Sequence, residues 1–479
     1  MLRPYPAYVD TGVEWLGKVP EPWAQLPGKA CYREKKTPNA GMRESKVLSL
    51  SYGKIVVKPT DTLHGLVPES FETYQIIEPR DIVVRPTDLQ NDWNSLRFAL
   101  SLERGIITSA YMCLQTRGVI TPEFAHLLLH AYDVKKVFYG LGSGLRQNLD
   151  WRDFKYLPCL VPPLLEQAAI VRYLDRIDLR VRRYIRAKQR LITLLHEQKR
   201  VIIHRAVTRG FDVDGPSKPS DVEWLADVPQ EWEVVRLRHL IQGHLANGIF
   251  KRKDSFGRGV PLVNVKDIYS DDFAVRHDDL ELVDASPAEV RSFRAQAGDI
   301  FFVRSSLKLD GTGRSALAGD CEDSTVFECH LVRARPRGSL ISPRFLTLFL
   351  NSPVARDYLV SRASTVTMST LPQGVIAAMD VVVPPRGEQD RIVEVTDREA
   401  GDIAAAIASA SRNIGLVLEY RTGLIADVVT GKLDVREAAA RLPDEIEAAE
   451  PLDDADALTE GDDLGEQGDV NDSLEEVEA

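Results

Sequence analysis

Residues 13–23 read VEWLGKVPEPW, and residues 222–232 read VEWLADVPQEW. Seven positions are identical and stand at the same spacing, two of them tryptophans. The whole chain has only six tryptophans, so chance is a poor explanation for the match. A repeat of this kind predicts one structural module written twice along the chain.

Three further pairs of segments follow in the same order in both halves. The first pair predicts a buried strand that is reached through a turn. The second predicts a helix start, with a hydroxyl cap followed by proline. The third opens a long helical pattern. The pairs are RDIVVR (80–85) with GDIFFVR (298–304), TPEF (121–124) with SPRF (342–345), and VPPLLEQ (161–167) with VPPRGEQ (383–389).

The two long helical patterns have apolar residues spaced by four and three, the spacing of a coiled-coil seam. As one helix, residues 166–209 would reach roughly 66 Å, too long to hide a seam inside a small domain. We therefore expect the two helices to pack against each other, antiparallel if the halves are related by a pseudo-twofold axis. The predicted seam residues are Ile170, Leu174, Ile177, Val181, Tyr184, Leu191, Leu195 and Ile202, and then Ile403, Ile407, Ala410, Ile414, Val417, Leu424 and Val428.

The first helical pattern also carries a basic face with only Asp175 and Asp178 nearby. It is either a solvated flank of the coiled coil or a surface that faces phosphates or an acidic partner. The sequence leaves both interpretations open. The cations are Arg172, Arg176, Arg180, Arg182, Arg183, Arg186, Lys188 and Arg190.

Charge is divided unevenly along the 479 residues, whose formal net charge is −11. From Arg441 onward there are sixteen acidic residues and one arginine, so the end of the chain carries −15 and the remainder +4. Lacking aromatic residues, this end cannot bury enough surface to fold, and we expect a disordered acidic tail at 437–479. It is either a solubilising tail or one that repels or mimics nucleic acid.

Several classes of protein are excluded by composition. No apolar stretch approaches the ~18–20 residues of a membrane span, and the first residues do not form a secretory signal. The cysteines form no C-x-x-C pair, which argues against a disulfide framework and a zinc site and fits a reducing cytoplasm. They are Cys31, Cys113, Cys159, Cys321 and Cys329.

Over about residues 8–436 the doubled series resembles the specificity (S) subunit of type I restriction-modification systems. The tryptophan-containing openings, the strand at 298–303 and the blocks at 161–170 and 383–392 carry the resemblance. The helix endings AVTRG (206–210) and VVTGK (428–432) add to it. Arg80 in place of Gly298 and Leu165 in place of Gly387 are mild departures. No single motif is decisive, but their doubled order is.

The resemblance implies a mixed α/β fold, with two similar target recognition domains held apart by two long antiparallel helices and related by a pseudo-twofold axis. The acidic tail lies outside it. The expected domains are a first recognition domain (1–163), a central spacer helix (164–212), a second recognition domain (213–386), a C-terminal spacer helix (387–434) and the tail (437–479).

The resemblance further implies a non-catalytic, cytoplasmic protein in which each half reads one part of a bipartite duplex DNA site. The helical pair would dock methyltransferase subunits, two of them, and through these a nuclease and translocase subunit. Two separated half-sites need two readers at fixed spacing, which a duplicated reader on a helical spacer supplies. The expected partner contacts are Arg172, Arg176, Arg183 and Arg186.

DNA contacts are expected in the segments that do not match between the halves, because half-sites of different sequence require different readers. Arginine and glutamine can read guanine and adenine edges, whereas lysine mostly holds phosphate. The candidates are Lys54, Arg85, Arg97, Arg104, Ser143, Arg146 and Gln147 in the first half, and Lys251, Arg252, Lys253, Arg304, Ser305, Lys308, Arg314 and Gln373 in the second.

Three patterns imitate catalytic or metal sites but lack essential parts. The glycine run at 140–144 is not followed by a strand with an acidic end, so we expect a mobile loop and no cofactor. Residues 310–315 lack the first glycine and the lysine of a phosphate loop. His126 and His130 are four residues apart without the zinc-protease motif, which favours a packed helix face over a metal site.

Two other functions compete with DNA recognition. One is a scaffold that binds only proteins, and the other is a self-sufficient methyltransferase that uses the glycine run.

Overall fold

A computed structural model describes residues 2–51, 53–58, 70–142, 147–212, 215–365 and 368–443. The chain divides into two compact units. Unit 1 comprises Met1–Ala187 with Asn413–Ala479, and unit 2 comprises Lys188–Arg412. The acidic tail beyond residue 443 lies outside the described residues. Arg436–Ala440, which overlaps the start of the predicted tail, forms a short helix with Ala439 buried.

Unit 1 contains a four-stranded antiparallel sheet, in the order Tyr32–Lys35, Met112–Thr116, Ile82–Val84 and Phe98–Leu100. The helix Pro122–Val134 buries its apolar face in the same core. The other strands are Tyr8–Asp10, Lys18–Pro20, Ala24–Pro27, Leu48–Ser51, Lys54–Val57, Gln75–Ile77, Gly105–Ile107 and Pro158–Val161, and the other short helices are Gly28–Cys31, Val137–Gly140 and Trp151–Lys155.

Unit 2 contains a five-stranded sheet, in the order Ala246–Asn247, Leu331–Ala334, Ile300–Val303, Ser315–Ala318 and Ala274–Val275. The other strands are Ser217–Lys218, Val228–Pro229, Glu233–Arg236, Phe256–Val263, Glu281–Val283, Ser305–Ser306, Val326–Phe327, Ser364–Thr365, Ser369–Thr370 and Asp380–Val383. The short helices are Leu237–Leu240, Lys253–Ser255, Val265–Ile268, Pro287–Phe293, Leu309–Gly311, Pro343–Leu350, Pro353–Ser361 and Gln373–Ala378.

The strand predicted in both halves is present and central in each sheet. Ile82–Val84 and Ile300–Val303 are buried along their whole length. Each is reached through a turn whose residue has positive φ, 74° at Arg80 and 88° at Gly298. Glycine adopts this conformation without steric cost, whereas for arginine it costs roughly 1–2 kcal/mol. Arg80 and Gly298 therefore differ in residue type but match in backbone conformation.

The predicted helix starts are also confirmed. Thr121 caps the helix Pro122–Val134 by accepting the backbone N–H of Phe124 at 3.4 Å. Ser342 caps Pro343–Leu350 in the same way, from Phe345 at 3.4 Å. Proline follows both caps because the first helical N–H has no intrahelical acceptor to lose.

Each half ends in a single long helix, Leu164–Arg209 (46 residues) and Arg386–Val429 (44 residues). In unit 1, Ile170 at the start of the first helix shares a core with Val428 at the end of the second. In unit 2, Val207 at the end of the first shares a core with Ile392 at the start of the second. The helices are therefore antiparallel, as predicted.

All seven predicted seam residues of the second helix are buried or half-buried, whereas the seam of the first helix was predicted less well. Ile170, Leu174 and Val181 are buried, but Tyr184 and Leu191 are 40% and 42% exposed. A straight α-helix drifts by about 20° per heptad relative to a seven-residue repeat, so residues that continue the heptad turn away from the partner. Near the end of this helix, Ile203 is buried and the predicted Ile202 is only half-buried.

Candidate nucleic-acid interface

In each unit, the glutamate of the VPP block holds the second tryptophan of the opening motif. The Trp23 indole N–H donates to Glu166 at 3.0 Å, and the Trp232 indole N–H donates to Glu388 at 2.8 Å. Both tryptophans are buried. A buried indole N–H needs an acceptor, and the carboxylate supplies it. This contact joins segments that are 143 residues apart in unit 1 and 156 apart in unit 2.

The adjacent glutamine joins the same block to the capped helix. In unit 1, Gln167 accepts the backbone N–H of Thr121 at 2.8 Å and donates to the Pro162 carbonyl at 2.8 Å. In unit 2, Gln389 accepts from Ser342 at 2.7 Å and donates to Pro384 at 2.8 Å. The openings, helix starts and VPP blocks that match in sequence thus contact one another in each unit. They form a frame, and the unmatched segments are attached to it.

The aspartate before the central strand completes this frame. Asp299 is fully buried and accepts two hydrogen bonds from Arg335, at 2.6 and 2.7 Å. Asp81, its counterpart, is 2% exposed and pairs with Lys35. Each carboxylate also accepts a backbone N–H three residues earlier in the chain, at 2.8 Å. In each unit, the turn before the central strand is therefore held by an equivalent buried aspartate.

In unit 2, several candidate DNA contacts lie in or next to the loop 304–314, of which residues 305–314 have no match in the first half. Ser305 lies on a short strand beside Thr370, and their hydroxyls are 3.5 Å apart. Gln373 follows that second strand and donates to Asn247 at 2.6 Å. The Arg304 carbonyl accepts the backbone N–H of Leu371 at 2.8 Å, which joins the two segments. Lys308 and Arg314 are exposed in the same loop, and Arg314 lies over the Tyr269 ring at 5.4 Å.

The basic run at 251–253 is less uniform than its sequence. Lys251 is mostly buried and pairs with Glu289 at 2.9 Å. The hydrogen bond from Lys251, together with those from Ser286, lowers the pKa of Glu289 to about 2. The positive charge of Lys251 is therefore largely neutralised by Glu289 within the unit. Arg252 and Lys253 are exposed beside it.

In unit 1, Arg97 is a structural residue in this conformation. It is fully buried, and its guanidinium donates to the backbone carbonyls of Thr87 and Asp92 at 2.7 Å each. It also lies over the Tyr139 ring at 5.2 Å. The N–H groups of this guanidinium are bonded to groups inside unit 1 and are not available to bind DNA. We therefore leave Arg97 out of the proposed interface.

The remaining candidates of unit 1 are more dispersed than those of unit 2. Arg85 pairs with Asp92 at 3.1 Å, and Arg104 pairs with Glu44 and Glu78 at 3.1 and 3.3 Å. Lys54 begins the strand Lys54–Val57 and is half-buried, as is Gln147, whose φ is 47°. Ser143 and Arg146 lie outside the described residues.

Sequence reasoning missed the large apolar side chains that accompany these cations. Phe250 is 73% exposed immediately before the basic run, and Trp93 is 53% exposed in the segment that contains Asp92. Leu307 and Leu309 are exposed in the loop 304–314. The sequence did contain a sign of these residues, because they lie in segments that do not match between the halves. Exposed apolar groups commonly mark binding surfaces.

The described residues also contain one unforeseen group of possible metal ligands, Glu328, Cys329 and His330, with ligand atoms within 4.8 Å of one another. Burial and the neighbouring Glu328 carboxylate raise the pKa of the Cys329 thiol to about 12. Because groups of this kind are common in proteins without an ion, we do not assign a metal site here.

The four arginines expected to contact a partner lie on the part of the first long helix that belongs to unit 1. Arg172 donates to the backbone carbonyls of Leu442 and Pro443. Arg183 is exposed, and Arg176 and Arg186 are half-buried.

His126 and His130 lie in the capped helix of unit 1, and burial lowers the pKa of both imidazoles to about 4. An unfolded histidine has a pKa near 6.5, so between pH 6.5 and 4 the unfolded state binds more protons than the folded state. Unit 1 should therefore lose stability as pH falls through this range. Replacing both with glutamine should reduce the loss, measured as the difference in denaturant midpoint between pH 7 and pH 5.

Exposed His244 provides the control, since His244→Gln should leave that difference unchanged. Burial raises the pKa of Asp133 in the same helix to about 6, which acts in the opposite direction, so each variant is compared with the parent chain. An unchanged acid sensitivity in the double variant would contradict the assignment of buried, neutral imidazoles.

The described architecture is a duplicated mixed α/β chain in which a repeated frame presents unlike polar loops and two long helices run antiparallel. No family model matches the sequence. The chain is 22% identical over 396 residues to the specificity subunit of the type I restriction enzyme EcoKI from Escherichia coli, covering 79% of this chain and 82% of that protein. It is 22% identical over 465 residues to the StySPI specificity subunit from Salmonella potsdam, covering 90% and 96%.

A solved chain from a study of complex assembly and conformational transition of the type I R-M system has the same fold. It has a TM-score of 0.63 and 17% identity, and the match covers 87% of this chain and 99% of that one. The resemblance predicted from the sequence is thus confirmed: the chain is similar along most of its length to type I restriction enzyme specificity subunits. Among the described residues, no helix has the length and apolar character that crossing a membrane requires.

Proposed function

We propose that this chain is the non-catalytic DNA-specificity subunit of a type I restriction-modification complex. The recognition domains would be residues 1–163 and 213–386, each reading one part of a bipartite duplex site. The observation that carries the proposal is the division in each unit between a repeated frame and unlike loops. A frame that repeats while its loops differ suits two readers of two different half-sites.

The interface would include exposed cations that hold phosphate and planar side chains that read base edges. Unit 2 supports this most strongly, because Ser305, Lys308, Arg314 and Gln373 are grouped around one loop. The helical segments 164–212 and 387–434 would dock two methyltransferase subunits, which would in turn recruit a nuclease and translocase subunit. Exposed apolar residues on these helices, such as Leu416 and Tyr420, support a docking role.

A triple alanine variant of Ser305, Arg314 and Gln373 should alter recognition of one half-site only. A good base contact contributes about 1–3 kcal/mol, so removing each one should lower affinity for the cognate site by about fivefold to about 150-fold. Sequencing the methylated motif in a host that carries the partner methyltransferase should show one half relaxed and the other unchanged. Arg258→Ala, at an exposed arginine outside the loop, is the matched control and should change neither half.

If both halves of the methylated motif changed together, the proposal that each unit reads one half-site would be wrong.

Four residues inserted into both long helices should lengthen the spacer without changing either half-site. A scaffold that binds only proteins would show no salt-dependent affinity for duplex DNA. A self-sufficient methyltransferase would bind adenosylmethionine when purified alone, and we expect no binding.

A further inference from the structure

Five arginines, two of them exposed and three half-buried, form one face of the first long helix within unit 1, which we term the arginine face. Their spacing of four, four, three and three residues keeps them on one side of an α-helix. The opposite side buries Leu174 and Val181 in the core. The five are Arg172, Arg176, Arg180, Arg183 and Arg186.

The two acidic residues of this stretch offset the arginine face only weakly. Asp178 points away from it, toward ion pairs with Arg182 and with Arg421 of the second helix, at 2.7 Å each. Asp175 is exposed, but it is one carboxylate beside five arginines. The helix therefore presents a concentrated positive surface, more than a solvated flank requires.

The chain leaves the described structure beside this surface. The Arg172 guanidinium donates to the carbonyls of Leu442 and Pro443, the latter at 3.5 Å. The next residue begins the acidic tail, and residues 444–479 contain sixteen aspartates and glutamates without a lysine or arginine. The first arginine of the face thus fixes the point from which the tail starts.

We propose that residues 444–479 bind along the arginine face of their own chain. From Arg172 to Arg186 the helix rises about 21 Å, at ~1.5 Å per residue. An extended chain covers that distance in roughly seven residues, at ~3.3 Å each, so Asp444, Glu445, Glu447 and Glu450 come within reach of the face. Tethering places these carboxylates at an effective concentration on the order of millimolar or above.

This contact would make the tail a built-in competitor of any acidic partner for the same surface. Charge attraction between exposed groups is screened by salt, so the contact should weaken between 50 and 300 mM salt, as the Debye length shortens from about 14 Å to about 6 Å. The tail contact is independent of the proposed function, because it concerns the isolated chain without DNA or other subunits.

A fluorescein-labelled peptide of residues 444–479 tests the proposal by fluorescence anisotropy. It should bind the chain truncated after residue 443, and bind the full chain at least tenfold more weakly, because the face is already occupied there. The truncation removes no residue of the described cores. Equal binding to both chains would overturn the proposal. Dimers of the full chain that disappear on truncation would also overturn it, since the tail would then bind a second copy.

A charge-reversed variant locates the site. In the truncated chain, replacing Arg180, Arg183 and Arg186 with glutamate should reduce peptide affinity at least tenfold. The matched control reverses three exposed arginines of unit 2, Arg258, Arg276 and Arg291, and changes the net charge equally. The control should lower affinity by less than threefold. Equal reductions in the two variants would show that only net charge matters and would overturn the assignment to this face.

Discussion

Trp232→Ala should destabilise unit 2 by about 3–5 kcal/mol, the usual cost of removing a buried tryptophan. Trp232 is fully buried, its N–H donates to Glu388, and Gly210 at the end of the first long helix lies against its ring. The substitution leaves a cavity where the opening motif, the VPP block and the helix end meet. At roughly 2–4 °C per kcal/mol for a unit of this size, the thermal unfolding temperature of unit 2 should fall by about 6–20 °C.

Two further variants separate the contributions to that destabilisation. Trp232→Phe keeps most of the ring but removes the N–H, so it should cost about 1–3 kcal/mol for the unpaired carboxylate of Glu388. Phe250→Ala is the surface control within unit 2, because Phe250 is 73% exposed, and it should cost about 1 kcal/mol or less. Hydrogen exchange of the strand Ile300–Val303 reports unit 2 alone. Similar destabilisation by Trp232→Ala and Phe250→Ala would contradict the role of Trp232 in the frame.

Asp299→Ala should cost nearly as much, about 3 kcal/mol or more, because it leaves Arg335 without its partner in a largely buried position. Asp299 accepts both guanidinium hydrogen bonds and the Gln296 backbone N–H. The Arg335 side chain is 28% exposed, so water can recover part of the loss. Urea denaturation of unit 2, followed by the same hydrogen exchange, measures the change in unfolding free energy.

Asp323→Ala is the matched control for that ion pair. Asp323 also pairs with an arginine, Arg294, but its side chain is 91% exposed. Exposed pairs of this kind contribute about 0–1 kcal/mol. If the two aspartate variants were equally stable, the buried pair would not be what fixes the turn before the central strand.

The frame could be predicted from the sequence because each of its parts has a local signature. A hydroxyl residue followed by proline marked both helix starts, and the paired segments 80–85 and 298–304 marked a buried strand that is reached through a turn. The contact between Trp23 and Glu166 could not be predicted by such rules, because it joins segments far apart in the chain. Its only trace was that the same two motifs recur together in both halves.

The candidate interface was harder to predict than the frame because a basic residue in a loop can serve the loop itself. Arg97 fills a turn rich in carbonyl groups, and Lys251 is paired with Glu289, although both look like surface cations in the sequence. The exposed Phe250 and Trp93 were overlooked for the opposite reason, since apolar residues are ordinarily assigned to a core. Burial decides these cases, and burial depends on packing that no short motif encodes.

The two long helices have a consequence for the order in which the protein is made. The core of unit 1 includes Leu424, Val428, Val429 and Val435, which follow all of unit 2 in the chain. Unit 2 is a continuous stretch, so on the ribosome it has all its residues before unit 1 does. The unit whose synthesis starts first is therefore completed last. Until then, Ile170 and Leu174 lack the residues of the second long helix that share their core.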